Sequence, residues 1–146
     1  MEDRLERLKK LTEKIASFEL LRRENLKTLK KLYKKLCIDE KIDDFDSIFE
    51  FKAMNLGGIS LNNESLGEVK EGKYAQIIGI MSVDEDNRKK MKNINIKYFG
   101  RAEKLGLSAI KDICEFVLRW RLEKSFRGVE NYKELLEMLE RVSDDK

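Results

Sequence analysis

The sequence contains no histidine and no proline, and only two cysteines and eight glycines among its 146 residues. Because histidine is missing, the usual serine and cysteine triads, most zinc sites and histidine acid–base catalysis are excluded. The lack of proline and the scarcity of glycine favour long uninterrupted elements over a loop-rich or all-β fold. No motif marks carboxylate, lysine or tyrosine chemistry, so we predict a non-enzymatic protein without cofactor, metal or small-molecule ligand.

Long hydrophobic runs are also missing. None approaches the roughly 18–20 residues that cross a bilayer, and the N-terminal "MEDRLERLKK" lacks the apolar region of a signal peptide. We therefore predict an intracellular protein, cytoplasmic or nuclear, without membrane contact. Cys37 and Cys114 form no C-x-x-C pair and lie on apolar stretches, which indicates that both are reduced and buried.

What the sequence does contain is charge, arranged in blocks. The chain is 41% hydrophobic and 40% charged with a net charge of only +3, a composition typical of one soluble domain with a wet surface. Basic blocks at 22–35 and 88–104 alternate with an acidic segment at 39–50 and an acidic C-terminal region. Such blocks pair within a fold or between subunits.

Apolar residues recur at heptad spacing through residues 1–38, which predicts a long amphipathic helix. A helix of this length cannot bury its own stripe, so the stripe needs either the rest of the chain or another chain. We predict that segment 1–38 forms a coiled-coil stalk and that residues 39–146 form a small head. The predicted protein interface consists of Leu8, Leu11, Ile15, Phe18, Asn25, Leu29, Leu32 and Leu36.

Two seam positions in the middle of this helix are polar, Arg22 and Asn25. A buried asparagine in a coiled coil fixes register and strand number at a cost in stability. The alternative is that the stripe is interrupted here and the helix packs on the chain's own core, with Leu21 and Leu26 in contact. Both interpretations stay open at the level of sequence.

The middle third has the pattern of a small antiparallel sheet. Short segments rich in Ile, Val, Phe and Tyr are bounded by Gly, Asn and acidic turns. In "NINIKYF" strict alternation places Ile94, Ile96 and Tyr98 on one face of a strand. The expected strands are "SIFEFKAM", "GISL", "KYAQIIGIMSV" and "NINIKYF", although the first also fits a helix closed by Gly57 and Gly58.

From Gly100 onward the pattern is helical again. One apolar helix is expected to end at Gly128, and a second to begin at Asn131, where Glu134 completes a capping box. The predicted class is therefore α+β: a long N-terminal amphipathic helix, a small antiparallel sheet and two C-terminal helices. An all-α helical bundle is the alternative.

Two short stretches imitate known motifs. "GEVKEGKY", Gly67 to Tyr74, fits a phosphate loop until Tyr74 replaces the required Ser or Thr, so we interpret it as a hairpin turn at Glu71-Gly72-Lys73. "RAEKLGLSAIKDICEF" resembles a helix-turn-helix, which would imply DNA reading. It departs from that motif at Asp112, where a buried aliphatic residue belongs, and it offers few side chains suited to base edges.

Cations at three- and four-residue steps share one face of the N-terminal helix. They suit phosphate contacts, but no aromatic residues alternate with them, and lysines that flank a seam are ordinary in a partnered helix. We therefore predict a structural or interaction subunit whose partner is another protein or a second copy. A nucleic-acid-associated protein is the alternative, through Arg23, Lys27, Lys30, Lys34, Arg88, Lys89, Lys90 and Lys92.

Overall fold

The computed structural model describes residues 3–142, except the side chains of Thr12 and of residues 14–17. The predicted mixed class with an antiparallel sheet is confirmed, and the all-α alternative is wrong. Short 3-10 turns lie at Ile38–Glu40, Phe45–Glu50 and Ala102–Lys104. The regular elements are α1 (Arg4–Lys35), β1 (Ala53–Gly57), β2 (Tyr74–Glu85), β3 (Arg88–Arg101) and α2 (Leu107–Val142).

The sheet has three antiparallel strands in the order β1-β2-β3. Asp86 and Asn87 join β2 to β3 with left-handed φ angles of 49° and 63°, as a two-residue type I′ hairpin requires. Strand β1 pairs with 76–80 of β2, whereas β2 and β3 stay paired as far as Glu85 and Arg88. The hairpin therefore extends beyond β1 as a two-stranded ribbon.

The expected alternation in β3 is wrong at Tyr98. The β2–β3 register shifts twice, between Ala75 and Gln76 and again between Ile77 and Ile78, and such bulges turn the following side chains to the other face. Ile96 is accordingly 1% exposed and Tyr98 51% exposed. The Tyr98 ring packs instead against Tyr74, with 5.5 Å between ring centroids.

Two other expected strands are shorter than predicted. "SIFEFKAM" is mostly the 3-10 turn Phe45–Glu50, with β1 beginning at Ala53, and "GISL" contributes an isolated bridge between Ile59 and Val69. The predicted turn at 71–73 is confirmed, since Lys73 N–H donates to the Lys70 carbonyl at 3.2 Å. Because strand β2 follows this turn, no helix N-terminus faces an anion there.

The prediction of two C-terminal helices is wrong, because α2 runs without interruption through Gly128 and Asn131. A glycine inside a helix lowers helix stability by about 1 kcal/mol relative to alanine. The surrounding Glu, Lys and Leu residues favour helix, and no proline interrupts it, so the helix continues through Gly128. The helix-turn-helix interpretation is also wrong. Its first helix is replaced by the 3-10 turn Ala102–Lys104.

One core joins α1, the sheet and α2. Helix α2 is anchored by polar side chains that donate to carbonyls of the 3-10 turn before β1: Trp120 Nε1 to Ile48 at 2.8 Å and Lys124 Nζ to Phe49 at 3.0 Å. Of the two cysteines, Cys114 is buried as predicted, but Cys37 is exposed. Cys37 follows the C-terminal end of α1 in a left-handed turn, φ 59°, which turns its side chain out of the core.

Candidate interaction surface

Helices α1 and α2 lie antiparallel, and their contacts define two different halves of each helix. The C-terminal part of α1 meets the N-terminal part of α2 within the core. Both helices then continue past the last of these contacts, α1 for about 21 Å toward Arg4 and α2 for about 18 Å toward Val142. The contacts are Lys35 with Asp112, Asn25 with Arg119, Arg22 with Glu123 and Glu130, and Phe18 with Phe126.

The C-terminal half of the predicted interface is covered by the chain itself. Asn25, Leu29 and Leu32 are buried, and Leu36 packs partly buried against the same core. The expectation that the whole stripe faces a partner is therefore wrong for these four residues. Their partners are the sheet, the 3-10 turns and α2, because the chain folds back on the second half of α1.

The burial of Asn25, a polar residue, is explained by its hydrogen bonds to one residue of α2. Its amide nitrogen donates to the Arg119 carbonyl at 3.0 Å, and its amide oxygen accepts from the Arg119 guanidinium at 3.0 Å. Arg119 is held in turn by Glu115 at 2.7 Å. The buried asparagine thus fixes the register of α1 on α2 within one chain.

Arg22, the other polar seam residue, pairs with a carboxylate that is 0% exposed. Its Nε and second terminal nitrogen donate to the two oxygens of Glu123 at 3.0 and 3.1 Å, the bidentate geometry that guanidinium favours. The hydrogen bond to Glu123 raises the pKa of Arg22. Arg127 donates to the same carboxylate at 2.9 Å, and Arg22 also bonds Glu130.

The N-terminal half of the stripe is different, because it stays open to solvent. Leu8 and Leu11 are each 59% exposed and Phe18 is 41% exposed; the Ile15 side chain lies outside the described residues. The α2 positions that face α1 follow each other at steps of three, four and seven. The same steps of three and four continue along α2 at charged residues, Glu130, Glu134, Glu137 and Arg141, so α2 offers no apolar surface to this half of the stripe.

A second apolar surface lies on the outer side of α2. An open groove of about 810 Å³ separates this side of the helix from the loop at Leu66–Gly67. The same side of α2 continues past the groove as exposed apolar residues at helical spacing. The α2 residues in the groove are Leu107, Ile110, Lys111, Cys114, Glu115, Leu118, Arg119 and Leu122, and the continuation is Val129, Tyr132 and Leu136.

The predicted nucleic-acid residues lie on two separate elements. Arg23, Lys27, Lys30 and Lys34 are exposed on α1, and Lys30 lies 5.9 Å from the centroid of the Phe45 ring. Arg88, Lys89, Lys90 and Lys92 are exposed on the ribbon. There, Arg88 and Lys89 lie directly opposite Glu85 and Asp84, and Lys90 Nζ is 3.5 Å from Glu85. Acidic neighbours thus offset the positive charge of the ribbon.

Sequence reasoning missed the Arg22–Glu123 pair and the groove. The signal for the pair was present, since an arginine at a seam position requires a buried acid opposite, but its partner lies 101 residues away. The groove had no signal, because it depends on where the loop at Leu66 lies against α2.

Other site types find no support in the described part of the chain. No group of three or more acidic or cysteine side chains is placed to hold a metal ion among these residues. None of the described helices combines the length and hydrophobicity that crossing a membrane requires.

No protein-family model matches the sequence, and no curated protein or solved structure is similar enough to indicate a relationship.

Proposed function

We propose that this protein is a non-enzymatic interaction subunit of a larger assembly, and that it associates through the N-terminal half of α1. The observation that carries the proposal is the exposure of Leu8 and Leu11, each 59%, on a helix that continues about 21 Å beyond Phe18. An apolar stripe on a helix of this kind is the usual docking element for a partner helix or groove.

Energetics support the same conclusion. Burying a leucine side chain completely gains about 1.5–3 kcal/mol, so covering the exposed parts of Leu8, Leu11 and Phe18 gains on the order of 3 kcal/mol. Neighbouring exposed leucines, Leu5, Leu20 and Leu21, widen the surface. The α2 residues that face this stripe are charged and do not cover it with apolar side chains. A partner protein can therefore provide the apolar contacts.

The test compares two double variants of the full chain in affinity purification from an extract of the native source. Leu8→Ser with Leu11→Ser removes the stripe without changing charge. Lys9→Ser with Glu13→Ser introduces the same two serines off the stripe with no net change in charge, and is the control. We expect the proteins that the wild type captures to be absent from the first variant and present with the second. The same proteins, once purified, should bind the purified wild type directly. Equal capture by both variants would refute the proposal.

The alternative, a nucleic-acid-associated protein, is favoured by one observation on α1. Arg23, Lys27 and Lys34 share an exposed face, and within residues 3–142 none of them takes part in a described ion pair. Lys30 is exposed on the same face, and four phosphate contacts would give a slope of about −3 to −4 when log affinity is plotted against log salt. Lys27→Glu with Lys30→Glu should reduce that slope by about 2; salt-independent binding, or none, excludes this alternative.

A further inference from the structure

The outer side of α2 carries an apolar stripe that runs almost the full length of the helix. It begins in the groove beside Leu66 and ends on the part of α2 that extends beyond the core. Successive members follow at steps of three, four or seven residues, which keeps them on one side of a helix. The stripe consists of Leu107, Cys114, Leu118, Leu122, Val129, Tyr132 and Leu136, with Ser125 in the middle.

One end of the stripe lies in a groove and the other end is an exposed ridge. The N-terminal end forms the floor of the open groove, walled on one side by Leu66 and Gly67. The C-terminal end is a free ridge, where Tyr132 is 69% and Leu136 is 61% exposed. If a second α2 lies antiparallel on the first, each ridge enters the groove of the other copy, and both ends are covered by one two-fold contact.

We propose that the occupant of this groove is the C-terminal half of α2 from a second copy of the chain. The two α2 helices lie antiparallel, with the two-fold axis near Ser125. This surface is separate from the N-terminal stripe of α1, so the proposal goes beyond the association proposed above and does not depend on it.

Charge on the flank of the stripe selects the antiparallel direction. Glu115 and Lys133 are 18 residues apart, five full turns, so they lie on the same flank. With the axis near Ser125, Glu115 falls opposite Lys133 of the partner subunit, and Lys133 falls opposite Glu115 of the partner subunit. A parallel pair would place the two copies of this flank on opposite sides of the contact, so these charges would not meet.

The residues near the proposed axis are small. Ser125 donates its hydroxyl to the Arg121 carbonyl of its own helix at 3.0 Å, so covering it leaves no donor without a partner. Gly128 lies inside α2 with open space where a Cβ would be, so no described neighbour within 4 Å requires a glycine there, although glycine lowers helix stability. Small residues at a crossing let two helices approach closely.

The contact is large enough for a specific dimer. Helix α2 has 36 residues. Two such helices touching along about 54 Å, over a strip roughly 10 Å wide, bury on the order of 1,000 Å² in total. This area is at the lower limit of specific interfaces, so we expect a dimer that dissociates on dilution.

The mass of the purified full chain in sedimentation equilibrium tests the pairing. We expect about twice 17.2 kDa at high concentration, and a return to the monomer mass for both Leu118→Glu, in the groove, and Leu136→Glu, on the ridge. Met91→Glu introduces the same charge at an exposed apolar residue of the ribbon and should stay dimeric. A monomeric wild type, or dimers that survive both stripe variants, overturns the proposal.

Cysteine cross-linking tests the direction and axis independently. In a Cys37→Ser background, mild oxidation should link Ser125→Cys into disulfide dimers but leave Leu107→Cys unlinked, because an antiparallel pair brings together only positions near the axis. Linking at both positions would indicate a parallel pair, and linking at Leu107 alone a different axis. Either result overturns the arrangement.

Discussion

The Arg22–Glu123 pair allows the sharpest test of how α1 is held on α2. Replacing Arg22 with methionine keeps most of the side-chain length but leaves the fully buried Glu123 with Arg127 as its remaining cationic partner. Removing one member of a buried ion pair costs about 3–5 kcal/mol. Because Arg22 is 22% exposed and Arg127 remains bonded, we expect a smaller loss, about 2–3 kcal/mol.

The assay is urea unfolding followed by the fluorescence of Trp120, the single tryptophan, which is buried and bonded to the Ile48 carbonyl. With an m-value of about 2 kcal/mol/M, Arg22→Met should lower the unfolding midpoint by about 1 M. Arg23→Met makes the same change at the exposed neighbouring position and should shift stability by less than about 0.5 kcal/mol.

The double variant Arg22→Met with Glu123→Met removes both charges together. Its loss of unfolding free energy should be about 2 kcal/mol smaller than the sum of the losses of Arg22→Met and Glu123→Met, because no buried carboxylate is left without its arginine. Strictly additive losses, or a loss for Arg22→Met as small as that for Arg23→Met, would refute the role assigned to this pair.

Three further predictions concern stability and the burial of single side chains. Gly79→Ala should destabilise the protein by about 2–3 kcal/mol, because the added Cβ would lie 2.5 Å from an aromatic ring carbon. Gly128→Ala in dilute protein should instead stabilise it by up to about 1 kcal/mol. Urea unfolding measures both changes, and a change of the same sign for both variants would contradict the packing described here. Burial raises the pKa of Tyr33 above its ordinary value, so its stabilising contribution is complete below the pKa of an unfolded tyrosine and is lost as pH rises through the folded pKa; ultraviolet absorbance of tyrosinate should show a late titration that Tyr33→Phe abolishes. A thiol reagent should label Cys37 in the folded protein and Cys114 only on unfolding, since Cys114 is buried and burial raises its pKa; equal labelling rates would contradict this.

Local patterns predicted the class of the fold because they depend on neighbouring residues. Helical spacing located α1, and alternation with turn residues located β2 and β3. Patterns failed where a distant contact decides the outcome. Tyr98 lies on the face opposite to the predicted one because β3 contains bulges, whose positions depend on its pairing with β2. Gly128 lies inside α2 and not at its end, because helix-forming residues continue on both sides of it.

The candidate surface was predictable only in part, for the same reason. The heptad identified an apolar stripe on α1, but its second half covers the chain's own core, which spacing within one helix cannot reveal. The polar residues Arg22 and Asn25 marked the change between the two halves. Their partners, Glu123 and Arg119, became evident only once α2 was placed against α1.

Photo-crosslinking from the stripe of α1 in the native source tests the association account most directly. A photoreactive amino acid at Leu11 should form an adduct with a specific protein, while the same amino acid at Lys27, on the exposed basic face of α1, should not form that adduct. If Leu11 reacts with nothing but solvent or its own chain, the N-terminal half of α1 does not serve association and the proposed function is wrong.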